Sequence, residues 1–217
     1  HKDGSIDMDQ EGAIDLIALI EVDSKRADDD HATPAEVTQL RGRLGSVLYI
    51  AGNTRPFEAY PVSHLSGFVT GAKVSHLRQI NKVIKHLKAT KAFRLRYVAL
   101  KGPLITYTFH DSNFKKERDA GSQSGSLTLI GTVPDSDGCF TFCLLRYLSR
   151  RARRVLHSTL AVETVSATLS LDINEMTPFY QYCFESLFNV HLSKERQEQK
   201  EQQKNLFSML LKIRNML

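Results

Sequence analysis

Two carboxylates set in a β-β-β-α order are the residues of this chain best suited to chemistry. Asp111 closes the alternating run 105–110, which predicts a strand, and Glu163 stands at the predicted start of a later helix. Two more strands are predicted between them, over 126–133 and 139–148. A divalent-metal nuclease site begins in this way, because carboxylate oxygens are the hard ligands that Mg²⁺ prefers. Such a site normally needs further carboxylates downstream.

Basic side chains are the second candidate set, because they could contact phosphates. The clearest predicted helix covers 75–90, with an apolar stripe formed by Leu77, Ile80, Val83, Ile84 and Leu87. The candidate phosphate contacts are Arg78, Lys82, Lys85 and Lys88 on this helix, and Arg151, Arg153 and Arg154 in the basic link before Glu163. The alternative is a solvated helix face whose long cationic stems cover its flanks.

The elements before that helix are predicted from local patterns. Residues 4–20 suggest a short strand and a short helix, with Ile14, Ile17 and Ile20 inward. Residues 21–33 are polar, and we expect their acidic run 28–30 to be a loop rather than a metal site. Thr33 is a good helix N-cap, followed by Pro34 and by Glu36 of a capping box. The apolar positions of that helix are Leu40, Leu44, Val47 and Leu48, and Pro61 is expected to break or kink the next helical stretch.

Composition sets broad limits. The chain has 217 residues and a formal net charge of +5, which permits a polyanionic partner without requiring one. Its three cysteines do not suggest a disulfide scaffold, and we expect Cys139 and Cys143 to be buried apolar residues in an intracellular protein. No apolar run reaches the roughly 20 residues of a membrane helix. Without an initiator Met or a signal peptide, the chain looks like a piece of something longer.

Five segments in one order resemble copia-type retrotransposon polyproteins. Residues 33–36, 44–51 and 54–56 are similar to that family's TPEE, LVGSLLYLA and TRPDI segments, and 76–91 to its HWKAVKRILRYLKGTK helix. Residues 109–114 resemble its YSDADW, 123–131 its STSGYVFLLG, and 158–167 its SSTEAEYIA. The resemblance covers residues 4 to about 168. It implies the end of a reverse transcriptase followed by the start of an RNase H domain.

The resemblance implies a two-metal hydrolysis of the RNA strand of an RNA/DNA hybrid, with Mg²⁺ or Mn²⁺ held by Asp111 and Glu163. The family's second aspartate is replaced by Asn113 and an expected glutamate by Ala161. The later pair of active-site aspartates is not found in the sequence. We therefore expect a decayed or truncated element that is inactive alone. The alternative is a non-catalytic nucleic-acid-binding or structural module derived from it.

These inferences together predict an α+β fold with three parts. Residues 1–100 would form a thumb- and connection-like segment, 101–192 a partial RNase H-like β-β-β-α domain, and 193–217 a polar linker with an amphipathic helix. That helix, over 205–217, suggests self-association, with loose packing on the domain as the alternative. The expected location is intracellular: cytoplasmic, in a virus-like particle, or nuclear.

Overall fold

The computed structural model describes residues 1–113, 122–151 and 163–164. Its helices are α1 (Glu11–Asp15), α2 (Pro34–Asn53), α3 (Ala59–Ser66) and α4 (Val74–Ala89), with a 3-10 turn at Pro56–Glu58. Its strands are β1 (Ile6–Met8), β2 (Leu95–Tyr97), β3 (Leu104–Asn113), β4 (Gln123–Thr132) and β5 (Phe142–Arg151). Helices and antiparallel sheets occur together, so the predicted α+β class is confirmed.

The main core lies among the helices. The predicted stripe of α4 is buried in full, together with Leu40, Leu44 and Val47 of α2. Ile14, Ile17 and Ile20 pack into the same core, as the apolar spacing predicts. The side chain of Asn81 holds the chain at Ile20, since it accepts a hydrogen bond from the Ile20 N–H (2.9 Å) and donates one to the Ile20 carbonyl (2.7 Å).

The predicted capping box at the start of α2 is present. The Glu36 N–H donates to Thr33 Oγ1 (3.3 Å), and the Thr33 N–H donates to the Glu36 carboxylate (2.7 Å). The Arg26 guanidinium pairs with the same carboxylate and lowers its pKa. Two otherwise unpaired N–H groups of the first turn are therefore satisfied by side chains.

The acidic run 28–30 is a loop that caps α4. The carbonyls of Asp28 and Asp30 accept hydrogen bonds from the N–H groups of Ser75 (3.0 Å) and Val74 (2.9 Å). The Asp28 carboxylate pairs with Arg78, and that of Asp29 with Lys73 (2.8 Å). These carboxylates are thus matched to cations of the fold, which agrees with the predicted loop.

Two small sheets complete the fold. Strand β1 pairs antiparallel with β2, with Ile6 opposite Tyr97. Strands β3, β4 and β5 form a separate antiparallel sheet in chain order, with a bulge between Thr128 and Leu129. A second, smaller core of Leu100, Ile130 and Cys143 lies on this sheet. The three predicted consecutive strands are therefore present.

Several local predictions were wrong. Strand β3 continues to Asn113, so Asp111 lies within the strand instead of closing it, and β5 includes Arg151, which was assigned to a link. Pro61 lies in the first turn of α3, where its missing N–H costs no intrahelical bond, and the break falls before Pro56.

Two predictions of burial were also wrong. Leu48 is 44% exposed, because it lies at the edge of the buried face of α2, although it is one turn from the buried Leu44. Cys139 is exposed, because it follows the turn closed by Gly138 at φ 78°, while Cys143 is buried as expected. Among the described residues, no helix has the length and the apolar content that crossing a membrane requires.

Candidate functional site

Asp111 lies on the face of the three-stranded sheet that is turned towards α3. Residues directly opposite each other in an antiparallel ladder share a face, and Asp111 is opposite Gly125, which is opposite Ser149. The next such row, towards the other end of β3, is formed by Phe109, Leu127 and Tyr147. The Asp111 carboxylate accepts a hydrogen bond from the Ser112 N–H (2.8 Å).

Helix α3 contacts this face through polar side chains. The side-chain amide of Gln123 donates to the hydroxyls of Ser63 in α3 (3.1 Å) and of Ser149 in β5 (2.9 Å). The guanidinium of Arg151 lies beside Gly67, which caps the C-terminus of α3. The sheet and the helical part therefore meet along β5, with Asp111 and Arg151 on one face.

A cavity of about 330 Å³ lies between the helical part and this face. It is lined by Pro56, Ala59, Tyr60, Phe109, His110, Asp111, Gly125, Ser126, Leu127, Tyr147, Leu148 and Ser149. Among the lining residues that the structure describes, Asp111 is the one carboxylate and His110 the one imidazole, and the other side chains are aromatic, aliphatic or hydroxyl groups. This lining can take a largely apolar group of small-molecule size.

Glu163, the second predicted metal ligand, lies in a helical turn with a half-buried side chain. Within the residues that the structure describes, no group of three or more His, Cys, Asp or Glu side chains is placed to hold a metal ion. The pairing of Asp111 with Glu163 and their roles in catalysis and metal binding stay predictions.

Apart from Arg151 on β5, the predicted basic residues fall into three groups. Lys82 and Lys85 are exposed on α4 and Lys88 is half-buried beside them. Arg78 instead holds the loop before α2, since it pairs with Asp28 and donates to the Arg26 carbonyl (2.8 Å). Arg153 and Arg154 lie outside the described residues, as does the helix predicted over 205–217. Contacts of any of these residues with nucleic acid stay predictions.

Sequence reasoning missed a buried arginine next to the cavity. Arg55 is fully buried and donates to Thr54 Oγ1 (3.1 Å) and to the Lys91 carbonyl (3.0 Å), with its guanidinium 5.1 Å from the ring centre of Phe93. Burial lowers the pKa of Arg55, although the nearby Asp9 charge opposes this. Its signal was the segment 54–56, which matched a family motif without an apolar pattern to explain it.

A buried carboxylate was also missed. Glu58 is 3% exposed and pairs with the ring of His86 in α4. Phe57, which replaces an aspartate of the family pattern, packs edge-on against His86 and Phe93. A glutamate in an otherwise exposed-looking turn gives no sequence signal of burial, because its partner is 28 residues away.

Comparison with known proteins gives one relationship. No family model matches the chain, and no solved structure matches it. A Saccharomyces cerevisiae protein named for the transposon Ty5-1 is 32% identical over 101 residues, which are 46% of this chain and 32% of that protein. The chain thus spans about a third of the length of the curated relative that it matches. The similarity indicates a retrotransposon-related protein.

Proposed function

We propose that this chain is a fragment of a copia-type reverse transcriptase/RNase H polyprotein that binds RNA/DNA hybrids without cleaving them on its own. The observation that carries the proposal is the sheet β3-β4-β5 in chain order, with Asp111 on its first strand. The similarity to a Ty5-1 transposon protein supports the same origin.

Hybrid binding rests on the distribution of positive charge. Lys82 and Lys85 are exposed one turn apart on α4, opposite its buried stripe, so both can face a phosphate backbone. Arg151 lies on the same sheet face as Asp111. Cationic side chains that displace counterions give an affinity that falls with salt and does not depend on base sequence.

The expected absence of cleavage follows from the side chains that are available to bind metal ions. Two Mg²⁺ ions need several carboxylates to balance their charge, and the family's second aspartate is Asn113 here. Apart from the imidazole of His110, the described neighbours of Asp111 in the cavity are aromatic, aliphatic or hydroxyl groups, so the set offers one carboxylate where two hard cations need several. A bound ion would supply an activated water, and the single imidazole beside Asp111 does not replace the carboxylates that would hold that ion.

The experiment is a titration of a fluorescently labelled RNA/DNA hybrid at several salt concentrations, read by anisotropy. The double variant Lys82→Gln/Lys85→Gln is expected to lower the slope of log affinity against log salt by about two, one for each lost phosphate contact. Lys25→Gln/Lys101→Gln is the matched control, because it removes the same charge from other surfaces. Equal losses in both double variants would show that α4 is not the binding surface.

A second arm tests the alternative of an active nuclease. The wild type and Asp111→Asn are incubated with the same hybrid and Mg²⁺ or Mn²⁺, and the products are separated by length. We expect an intact RNA strand with both proteins. Cleavage that Asp111→Asn abolishes would establish an active site completed by carboxylates outside the described residues.

A further inference from the structure

An exposed aromatic patch lies beside the basic face of α4. It consists of the rings of Phe57 in the 3-10 turn, His86 in α4 and Phe93 in the turn after α4. The ring centres of Phe57 and Phe93 are 5.3 Å apart, and those of Phe57 and His86 are 5.5 Å apart. Scattered apolar side chains are normal on a protein surface, whereas a group of rings in contact is the kind of contiguous surface that marks an interaction site.

Solvent reaches all three rings of the patch. Phe57 is 42% exposed, Phe93 is 38% exposed, and the side chain of His86 is 53% exposed. Both ring contacts are edge-on, so the rings of the patch are not stacked face to face on one another. Exposed aromatic rings are the surfaces on which unpaired bases of nucleic acids stack.

Two buried charged groups hold the rings in place. The guanidinium of Arg55, which is fully buried and fixed by two hydrogen bonds, lies 5.1 Å from the ring centre of Phe93. The carboxylate of Glu58, which is 3% exposed, pairs with Nδ1 of His86. The patch is therefore ordered before a ligand arrives, and a ligand that binds it loses less free energy to the ordering of side chains.

The charge around the patch favours a polyanion. His86 is one turn after Lys82 on α4 and directly follows Lys85, and both lysines are exposed. Among the described residues, no carboxylate pairs with either lysine. Lys91 and Arg94, the cations next to Phe93 in the sequence, are instead matched to carboxylates of the N-terminal segment. Uncompensated positive charge thus lies on the α4 side of the patch.

We infer that the aromatic patch binds an unpaired base at the end of a nucleic-acid duplex, while Lys82 and Lys85 contact phosphates of the same strand. Bases inside a duplex are already stacked on their neighbours, so an unpaired base gains most from the rings. No base is preferred, because every base has a π-face and stacking does not read hydrogen-bonding groups. This inference rests on the proposed binding of RNA/DNA hybrids and names the part of the ligand that the rings would hold.

The test measures the Kd of the whole chain for three labelled RNA/DNA hybrids by anisotropy. The first hybrid is blunt, the second has a DNA strand that extends by two adenines at each end, and the third has the same extensions without bases. We expect the Kd of the second hybrid to be about tenfold lower than that of the blunt one, the effect of one stacked base. The abasic hybrid should show little of this gain, because it adds phosphates without bases.

Substitution of the rings should remove the gain. Phe57→Ala and Phe93→Ala are each expected to raise the Kd of the extended hybrid towards that of the blunt hybrid, whose own Kd should stay as in the wild type. Phe142→Ala is the matched control, because it removes a phenyl ring that is 50% exposed on β5 and packs against Phe140. If an alanine variant fails to fold, Phe57→Leu and Phe93→Leu keep an apolar side chain and remove only the ring.

The outcomes separate this inference from the proposed function. Equal affinity for the extended and the blunt hybrid would overturn the aromatic patch as a base-binding site and leave hybrid binding intact. A gain that the abasic hybrid shares would overturn it too, as would a gain that Phe142→Ala reduces as much as Phe57→Ala does. A chain that binds none of the three hybrids would overturn both proposals.

Discussion

The hydroxyl of Tyr147 in β5 donates a hydrogen bond to the carbonyl of Ala51 in α2, a residue 96 positions earlier in the chain. Burial raises the pKa of this phenol to about 12, so the group stays protonated and able to donate. The bond ties the three-stranded sheet to the helical core beside the candidate site. Geometry at the cavity thus depends on a contact between two distant parts of the sequence.

Replacing Tyr147 by phenylalanine should destabilise the protein by about 1 kcal/mol, the net contribution of one buried hydrogen bond. The measurement is urea unfolding followed by circular dichroism. Tyr49→Phe removes the same hydroxyl from an exposed ring and should leave the free energy of unfolding unchanged. Equal losses in the two variants would contradict a specific role for the Tyr147 bond.

Substitution of Arg55 should destabilise the protein more than substitution of an exposed turn residue would. Arg55→Lys keeps the charge but cannot reach Thr54 Oγ1 and the Lys91 carbonyl together, so we expect a loss of about 2–4 kcal/mol. Arg41→Lys, at an exposed position of α2, is the control. Unfolding free energies within experimental error of the wild type for Arg55→Lys would refute this account of the buried guanidinium.

His76 should make stability depend on pH. Its Nδ1 accepts a hydrogen bond from the Lys73 N–H (3.0 Å), which requires an unprotonated nitrogen. Burial, then the charges of Lys73 and His64, lower the pKa of His76 below 6.5 in the folded state. The unfolded chain therefore takes up its proton first, so this stabilisation is present above pH 6.5 and is lost as pH falls through the folded pKa.

The check is the free energy of unfolding from pH 7.5 to 5, measured for the wild type and for His76→Gln. The variant should have a lower free energy of unfolding at neutral pH than the wild type. Its free energy of unfolding should also fall less between pH 7.5 and 5. Gln79→Ala, at an exposed position of the same helix, removes no titrating group and should keep the whole decline in the free energy of unfolding. An identical pH profile for the wild type and His76→Gln would rule out this linkage.

Two glycines of β4 should respond in different ways to the same change. An added Cβ at Gly131 would lie 2.9 Å from the Thr141 carbonyl and 3.2 Å from Phe142 Cβ, so Gly131→Ala should cost about 1–3 kcal/mol. At Gly125 the nearest atoms are 3.9 Å away, and Gly125→Ala should be close to neutral in stability. The check is thermal unfolding of both variants. A melting temperature of Gly131→Ala equal to that of the wild type would contradict the close packing of β4 on β5.

The sequence predicted best where one local pattern determines one element. The apolar stripe of α4 and the capping box at Thr33 are set by residues within one or two turns, and both are confirmed. The predicted strand ends were wrong where pairing with another strand decides them. Strand β3 continues to Asn113 because Gln123 of β4 pairs with that residue. The burial of Glu58 was not predicted because its partner His86 lies on another helix. The cavity was not predicted because its walls come from four separate segments of the chain.

The central claim is that this chain binds an RNA/DNA hybrid and does not cut it, and one assay with a labelled hybrid tests it most directly. The account predicts binding that weakens as salt is raised, with the RNA strand intact in Mg²⁺ and in Mn²⁺. Cleavage that depends on the metal and disappears in Asp111→Asn would contradict it.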